Sequence, residues 1–390
     1  MSGAVRSAAS RGARQPERHE RHERATRSWT SGPSEFGIHQ ILAAASPGDA
    51  ITNAALEYRD VLRRVGPSEI FARHIAPSSA GEVLPLSDYH SCGSQGVLVY
   101  HASIGEPMVA AFLRSRHEPI VLVYHNITPA KYFAEIDETF AELLVLGRAE
   151  LEFIRPRVAR AITDSQFNAT ELEAIGYEDV RVIPPVVDAF RLLRTTPSPV
   201  LTEHLEESFP DPLVLFVGQL LPHKRPDLLI ESMHVAVTYF GLRATLLLVG
   251  QNRFARYADA ISAQVRELNL PQVHLMGLVD DAHLAAIFRR AAAFVTVSEH
   301  EGFCVPLLEA MAFDVPVVAR ACAAIPETVG DGGLLLPTWA GSELIGEAMV
   351  RVIDDRALRS DLIARGRRRL RELTALDPSV AMLETILEVV

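Results

Sequence analysis

The sequence has few cysteines, no long apolar run and no excess of positive charge, and each absence excludes a class of protein. Cys92, Cys304 and Cys322 stand far apart in a chain of 390 residues. This spacing argues against a disulfide framework or a cysteine-based zinc site, and favours a reducing compartment. No apolar run approaches the roughly 18 to 20 residues needed to cross a bilayer, and the amino terminus lacks the apolar core of a secretory signal. We therefore predict a cytoplasmic protein and leave open a peripheral contact at the inner face of the membrane.

The charge balance excludes one kind of partner. With 38 basic and 49 acidic residues the net charge is -11, which argues against a nucleic acid held mainly by phosphate contacts. Residues 1–35 differ from the rest, because they hold seven arginines, four glutamates and almost no large apolar side chain. Such a segment buries too little surface to offset its ordering entropy, so we predict a disordered basic extension. It is either a solvated tail or an electrostatic tether to anionic lipid or a partner.

From Phe36 onward, short apolar runs alternate with longer amphipathic ones. The strand-like runs cover residues 97–100, 120–124, 161–163, 180–183, 213–217, 244–249, 273–276, 293–297 and 315–319. The helical patterns include residues 50–64, 227–240, 258–268 and 281–291. Strands that are apolar on both faces are typical of a parallel sheet covered by helices. The alternation therefore predicts doubly wound α/β layers with right-handed crossovers.

A proline-rich stretch from Pro184 to Pro212 interrupts this alternation of strands and helices, and its polar middle has no strand pattern. We interpret it as the linker between two Rossmann-like halves, residues 36–196 and 197–377. Ligands of such proteins bind at the carboxyl ends of the strands, in the cleft between the halves.

The strongest functional signal is the run Glu299-His-Glu-Gly-Phe-Cys-Val-Pro-Leu-Leu-Glu309. A buried strand leads into a turn at Gly302, and Pro306 suits the first position of a helix. Backbone amides around Gly302, Phe303 and Cys304 would then point into the cleft beside a positive helix end, which suits an anionic or hydroxyl-rich ligand.

Two carboxylates belong to this run. Glu301 would lie on the loop and Glu309 about one turn into the helix. So placed, they can bind vicinal hydroxyls of a sugar and a ribose through charge-assisted hydrogen bonds. Two isolated glutamates would more simply be a helix cap and a solvated side chain, but the complete run favours a binding site.

The run resembles the signature of glycosyltransferase family 4, the group 1 glycosyltransferases, because Glu301 and Glu309 are embedded in Glu-Gly-Phe-x-x-Pro-x-x-Glu-Ala. Further similar segments lie in the carboxyl-terminal half: Leu215-Phe-Val-Gly-Gln-Leu-Leu-Pro-His-Lys-Arg225, Gly277-Leu-Val-Asp, Pro316-Val-Val-Ala and Ile325-Pro-Glu-Thr-Val-Gly. Less specific segments lie in the first half: Ser46-Pro-Gly-Asp-Ala50, Tyr124-His-Asn-Ile-Thr-Pro129 and Thr163-Asp-Ser-Gln-Phe-Asn168. The resemblance covers about residues 37–370.

The resemblance implies the GT-B fold, two Rossmann-like doubly wound parallel-sheet domains facing across a cleft. The first domain would bind a glycan or glycolipid acceptor and the second a nucleotide sugar donor. A last helix over residues 378–390 would pack back across the domain junction. The implied activity is transfer of a hexose-type sugar from a nucleoside diphosphate with retention of configuration, and it requires no cofactor beyond the donor itself.

The resemblance also implies roles for single residues. Glu309 would bind the ribose, and Glu301 would contact the donor sugar together with the amides of Gly302, Phe303 and Cys304. The remaining implied contacts are Lys224 and Gly218 at the diphosphate, Gly277 and Val279 at the base, His125 at the reacting sugar, and Gly48 and Asp49 at the acceptor.

The role of Lys224 has independent support, and its neighbour Gln219 departs from the family. Negative charge grows on the diphosphate as the glycosidic bond breaks, and removing a preorganised cation typically costs a factor on the order of 100 to 1,000. Relatives usually have an arginine where this chain has Gln219, which can donate a hydrogen bond but carries no charge. We hypothesise that Arg225 supplies part of the missing charge, with His223 as an alternative; unchanged kinetics in Arg225→Ala would count against Arg225.

Several interpretations stay open. His125 is either a sugar ligand or a residue that closes an apolar strand, and Asp49 is either an acceptor contact or a helix cap. The sequence has no Asp-x-Asp pair at a strand end and no cysteine-histidine cluster, so we predict metal-independent catalysis. The rival interpretation is a non-catalytic nucleotide-sugar-binding or scaffold subunit of a polysaccharide assembly complex, which Gln219 favours. An epimerase or a phosphorylase fits less well, because neither its extra acid-base carboxylates nor a pyridoxal phosphate lysine is found.

Overall fold

The computed structural model describes residues 36–46, 49–91 and 95–390, so the predicted extension over residues 1–35, Gly48 and Cys92 lie outside the described residues. Within these ranges the chain forms two parallel sheets, of seven and six strands, with helices between consecutive strands. This confirms the predicted α/β class and the GT-B arrangement of two Rossmann-like layered domains.

The first sheet has the strand order β3-β2-β1-β4-β5-β6-β7. Its strands are β1 (Ile38–Ala45), β2 (Ile70–Ile75), β3 (Leu84–Pro85), β4 (Val97–Ala102), β5 (Ile120–Tyr124), β6 (Val158–Thr163) and β7 (Val180–Val182). Its helices are α1 (Ala50–Leu62), α2 (Pro107–Ser115), α3 (Glu138–Ile154) and α4 (Gln166–Ala174). The order reverses between β1 and β4, so the carboxyl ends of these two strands mark the switch point.

The second sheet repeats this plan with the order β10-β9-β8-β11-β12-β13. Its strands are β8 (Leu213–Val217), β9 (Thr245–Val249), β10 (Val273–Gly277), β11 (Ala291–Thr296), β12 (Val317–Arg320) and β13 (Leu334–Leu336). The remaining helices are α5 (Arg191–Arg194), α6 (Pro199–Ser208), α7 (Pro226–Phe240), α8 (Ala255–Glu267), α9 (Asp281–Arg290), α10 (Pro306–Ala312), α11 (Ile325–Val329), α12 (Ser342–Asp354), α13 (Arg356–Leu373) and α14 (Pro378–Leu387). The switch point lies between β8 and β11.

Apolar side chains determine which runs become central strands. Every residue of β5 and of β9 is buried, as expected for strands covered by helices on both faces. The run over 315–319 becomes a strand only from Val317, because Pro316 has no N–H to donate and the N–H of Val315 donates to Ala310 instead. The strand β2 was not among the predicted runs, since its second half carries the exposed residues Arg73 and His74.

The linker and the last helix both cross between the domains. Ala189 and Leu192, within the proline-rich stretch, are buried in the core of the second domain. The helix α14 packs against α1 of the first domain, where Met382 and Ile386 are fully buried, and Arg160 forms an ion pair with Glu388. No observation tests the predicted domain limits at residues 196 and 377, which stay predictions.

Aromatic rings also join the domains behind the cleft. Phe254 of the second domain is buried against two rings of the first, with centroid distances of 5.5 Å to Phe133 and 5.4 Å to Phe140. The carboxyl ends of both sheets therefore face each other across a cleft with a packed apolar back.

Candidate active site in the interdomain cleft

Lys224 and Glu301 meet at the switch point of the second sheet. The Nζ atom of Lys224, which ends a short 3₁₀ turn after β8, donates to Oε1 of Glu301 at 2.7 Å. Ser298, just after β11, donates its hydroxyl to the same oxygen at 2.8 Å. The side chains of Lys224 and Glu301 are 18% and 10% exposed. The two strand ends thus place a cation and a carboxylate in direct contact at the rim of the cleft.

The electrostatics of Lys224 keep it charged. Burial lowers the pKa of the Lys224 ammonium, but the neighbouring charge of Glu301 and the hydrogen bond to Glu301 outweigh burial, so its pKa is raised overall. A buried ammonium that stays protonated is suited to bind an anion. A lysine that follows a strand is often freely solvated, but Lys224 is not.

Glu309 belongs to the same group of charges. It lies in the first turn of α10, as predicted, and burial raises the pKa of its carboxyl to about 7, with Arg191 opposing the shift. Burial also raises the pKa of the Cys304 thiol well above its usual value, and the charges of Glu301, Lys224 and Glu309 all act on that thiol. The structure therefore brings Lys224, Glu301 and Glu309 together around Cys304.

The turn between β11 and α10 has the form expected of an anion site. The helix begins at Pro306, and in the described ranges the amide N–H groups of Gly302, Phe303 and Cys304 donate to no backbone or side-chain acceptor. Cys304 has a positive φ of 74°, a strained conformation for a residue with a side chain. The side chain of Phe303 is buried in the core, so Phe303 contributes its amide and not its ring.

The first domain packs so closely on Gly302 that there is little room for a side chain at this position. A Cβ atom at Gly302 would lie 3.0 Å from Cβ of Asn126 and 3.1 Å from the carbonyl oxygen of His125. His300 Nε2 lies 2.6 Å from Oδ1 of Asn126. The donor-side loop therefore packs directly on the turn that follows β5.

A cleft of about 460 Å³ opens beside these residues. It is lined by residues of both domains, namely Ser46, Asp49, Val217, Gly218, Gln219, Val249, Gly250, Gln251, Arg253, Leu278, Val279 and Leu284. Gly218 also touches Lys224, since a Cβ atom on Gly218 would lie 3.7 Å from Nζ. Gly277 lies beneath the cleft, where its carbonyl accepts from the N–H of Gly250 at 2.9 Å.

Sequence reasoning missed Gly250. Its φ is +146°, and a Cβ atom there would lie 1.9 Å from the carbonyl oxygen of Gly218. Only glycine permits this close approach of the two strand ends. The signal was available, because Gly250 follows the apolar run of β9 as Gly218 follows that of β8.

Arg225 is committed to other carboxylates. Its guanidinium Nε donates to Asp227 at 3.0 Å, and Nη1 pairs with Glu299. The hydrogen bond to Asp227 is the largest cause of a raised Arg225 pKa. Two carboxylates already neutralise this side chain, an arrangement that leaves little charge for a ligand.

Arg253 is the cation that sequence reasoning overlooked. It lines the cleft near Gln219, and its guanidinium packs over the rings of Phe140 and Phe254, 4.7 Å and 5.2 Å from their centroids. Within the described chain, Arg253 makes no ion pair. Its position after β9, four residues from the strand end, gave no recognisable pattern.

On the first domain, His125 follows β5 but both of its ring nitrogens are engaged. Nε2 lies 2.8 Å from Nδ1 of His101, and Nδ1 lies 3.3 Å from Oδ2 of Asp164. Asp49 caps α1, where its carboxylate accepts from the N–H of Thr52 at 2.9 Å, and it also lines the cleft. Both interpretations of Asp49 therefore remain compatible with the structure.

A carboxylate of the second domain caps a helix of the first. Glu327, on α11, accepts the N–H groups of Gln166 and Phe167 at 2.7 Å each, at the amino terminus of α4. These first-turn amides have no partner within their own helix. The domains are thus joined at the cleft rim by a bidentate contact that the sequence did not predict.

The described residues contain neither a metal-binding cluster nor a membrane-spanning helix. No group of three or more histidine, cysteine, aspartate or glutamate side chains is arranged to bind a metal ion. No helix in the same part of the chain combines the length and hydropathy of a membrane span.

Part of the second domain is similar to proteins of known function. Residues 211–355 match the family model of Glycosyl transferases group 1. The D-inositol 3-phosphate glycosyltransferase of Actinosynnema mirum is 32% identical over 233 residues, 56% of this chain and 54% of the relative. The O-antigen chain mannosyltransferase B of Escherichia coli is 32% identical over 123 residues, 31% of this chain and 32% of the relative. The matches thus span about half or less of these curated relatives.

The fold of the whole described chain is also found in solved structures. The crystal structure of Anabaena HepE in complex with UDP and glucose superposes with a TM-score of 0.71 over 90% of this chain and 99% of that one, at 16% identity. These findings confirm the resemblance of residues 211–355 to group 1 glycosyltransferases, and the two domains together have the GT-B fold.

Proposed function

We propose that this chain is a glycosyltransferase that moves a hexose-type sugar from a nucleoside diphosphate to a glycan or lipid-linked acceptor, with retention of configuration and without a metal ion. The observation that carries the proposal is the contact of Lys224 with Glu301 beside the free amides of Gly302, Phe303 and Cys304. The class of the second domain, defined by its family match, supports the same activity.

The geometry supports a division of labour around the bond that breaks. The diphosphate would lie against Lys224 and the free amides of the turn, where a fixed cation and amide dipoles stabilise its growing charge. Glu301, now bound to Lys224, would exchange part of that contact for hydroxyls of the donor sugar. Glu309 would accept from the ribose hydroxyls.

Retention needs no protein nucleophile in this scheme. The departing phosphate oxygen takes the proton of the acceptor hydroxyl on the face where it leaves, while that hydroxyl bonds to the sugar carbon. The proton and the leaving electron pair both end on the diphosphate, so the step balances without a further base. Lys224 and the amides would neutralise the leaving group in place of a metal ion.

Donor and acceptor classes follow from the relatives by analogy. Relatives named above act on inositol 3-phosphate or transfer mannose, and HepE was crystallised with UDP and glucose. A hexose donor and a polyol or glycan acceptor are therefore proposed here. The reducing compartment and a membrane contact through the basic segment over residues 1–35 stay predictions.

A panel of nucleotide sugars tests the proposal. We expect one of UDP-, GDP-, ADP- or dTDP-hexose to raise the unfolding temperature, because a ligand that binds only the folded state stabilises it. The same donor should be hydrolysed slowly in the absence of acceptor, with activity retained in a chelator. Binding without any turnover would instead establish the scaffold alternative, and loss of activity in the chelator would contradict metal independence.

A further inference from the structure

A chain of buried polar side chains runs through the first sheet and ends at His125. Gln40 on β1 and His101 on β4 are both buried, although strands at the centre of a parallel sheet are normally apolar. Nε2 of Gln40 lies 3.0 Å from the carbonyl oxygen of Ala55, and its Oε1 lies 2.8 Å from Nε2 of His101. The contacts continue from His101 to His125 and from His125 to Asp164.

The direction of each hydrogen bond follows from the first one. The carbonyl of Ala55 can only accept, so the amide nitrogen of Gln40 faces it and the amide oxygen faces His101. His101 must then donate from Nε2. Burial lowers the pKa of His101 well below its usual value, and the charge of His125 lowers it further. A neutral His101 that donates from Nε2 has a bare Nδ1, which accepts from Nε2–H of His125.

The last contact requires one more proton. If His125 were neutral, its Nε2 would carry the hydrogen and its Nδ1 would present a lone pair to the carboxylate of Asp164 at 3.3 Å. Two acceptors would then face each other. A proton between them removes the conflict, and the imidazole nitrogen holds it because it is a stronger base than a carboxylate oxygen.

The surroundings of Asp164 also call for a cation. Its side chain is only 7% exposed, and in the described part of the chain its Oδ1 has no hydrogen-bond partner. The other titratable group facing this corner is Tyr58, whose ring lies 5.3 Å from that of His101 and whose pKa is raised by burial and then by Asp164. A buried carboxylate without a cation is costly, and His125 is the group in reach that can supply the charge.

We propose that Asp164 is a positioning residue that holds His125 as an imidazolium cation, with both ring nitrogens turned into the first domain. His125 then acts on the cleft by its charge and not as a hydrogen-bonding partner of a sugar hydroxyl. Its backbone lies against Gly302, beside the free amides of the donor loop, so its charge favours a bound diphosphate. This consequence rests on the function proposed above, whereas the charge state itself does not.

The charge state is measured directly by long-range ¹H–¹⁵N correlation spectra of the intact chain labelled with ¹⁵N-histidine. We expect both ring nitrogens of His125 to be protonated at pH 8, with the signals assigned through His125→Gln. In Asp164→Asn the amide can donate to a bare Nδ1, so the contact survives with its direction reversed and His125 becomes neutral. In Gln40→Met the anchor is lost, so His101 can donate from Nδ1 to His125, which again becomes neutral.

Nucleoside diphosphate binding provides the second measurement. Asp164→Asn should weaken binding of UDP or GDP about threefold to tenfold, the loss expected for one partly screened charge. The control Asp314→Asn removes a carboxylate from an exposed ion pair with Arg367, and should leave affinity and the His125 signals unchanged.

Each part of the proposal is contradicted by a different result. A bare nitrogen on His125 in the unaltered protein overturns the imidazolium, and an imidazolium that persists in Asp164→Asn overturns the role of Asp164. Unchanged UDP and GDP affinity in that variant overturns the effect on the cleft. If neither nucleotide binds the unaltered protein, the proposed function fails while the spectra still decide the charge state.

Discussion

The two walls of the cleft are built in different ways. The wall of the second domain comes from two short segments, residues 218–225 and 299–309, each of which leaves a buried strand and enters a helix. The wall of the first domain needs Gln40, His101, His125 and Asp164, which come from four separate strands or strand ends. A donor site made of contiguous segments is visible in the sequence, whereas a site made by sheet order is visible only in the fold.

The largest effect is expected for Lys224→Ala, which tests the contrast between the two walls of the cleft. If the donor wall carries the chemistry, transfer and donor hydrolysis should fall by a factor on the order of 100 to 1,000, because a preorganised cation on the leaving diphosphate is lost. Steady-state kinetics with the donor identified by thermal shift give the value. Lys131→Ala is the matched control, since Lys131 is an exposed lysine on the first domain. Comparable losses in both variants would remove Lys224 from its proposed role.

Glu309→Gln tests the donor wall through its pH dependence. The pKa of Glu309 in the folded state is raised to about 7, so the folded state holds this proton more tightly than the unfolded state. The resulting stability is fully present below about pH 4.5 and is lost as the pH rises through about 7. At pH 8 the variant should therefore be more stable than the unaltered protein by about 3 kcal/mol, with the difference disappearing near pH 4.5. Urea unfolding at several pH values, with exposed Glu267→Gln as control, measures this; a difference independent of pH would contradict it.

The two arginines near the diphosphate position sharpen the comparison further. Arg253→Gln should raise the donor KM about fivefold, the effect of an exposed ion pair worth up to about 1 kcal/mol. Arg225→Gln should leave that KM nearly unchanged and lower stability instead, because Asp227 and Glu299 lose their partner. Paired measurements of KM and of urea unfolding separate the two effects. The reverse ranking of the KM values would support the hypothesis drawn from the sequence, in which Arg225 compensates for Gln219.

The smallest expected effect concerns the contact that joins the walls. Glu327→Gln removes one of two equivalent acceptors from the amino terminus of α4 and should cost about 1 kcal/mol, as loss of a helix cap does. Limited proteolysis of the proline-rich stretch over 184–212 should become faster. Glu343→Gln, in the first turn of α12 and without a partner in the other domain, is the control. Equal proteolysis rates would show that Glu327 does not hold the domains together.

Residue pattern predicted the architecture well where burial is uniform. Fully apolar runs such as 120–124 and 213–217 were placed to the residue, since a strand covered on both faces has no polar position to confuse its limits. The pattern failed for the strand β2, which is half exposed, and for the early part of α8, where Ala255 to Tyr257 precede the predicted start. Local sequence also singled out Lys224, Glu301 and Glu309, and the fold brings these three residues together.

The rest depended on distances that no local pattern contains. The role of Gln40 follows from the carbonyl of Ala55 on another element, and the significance of Arg253 follows from the neutralisation of Arg225 by Glu299, 74 residues away. Polar residues inside apolar strands, such as His101 in β4, were the available warning. A buried polar side chain always needs a partner, but the sequence does not say which one.

The return of α14 to the first domain limits how the two domains can move. Since both the linker and the segment before α14 pass from one domain to the other, opening the cleft must bend two chain crossings together. Because the chain crosses between the domains at two places, the domains can rotate about the line that joins the two crossings. The same crossings oppose separation and free twisting of the domains. We therefore expect the cleft to open by a rotation about one axis, and truncating the chain before Met382 would remove one of the two crossings.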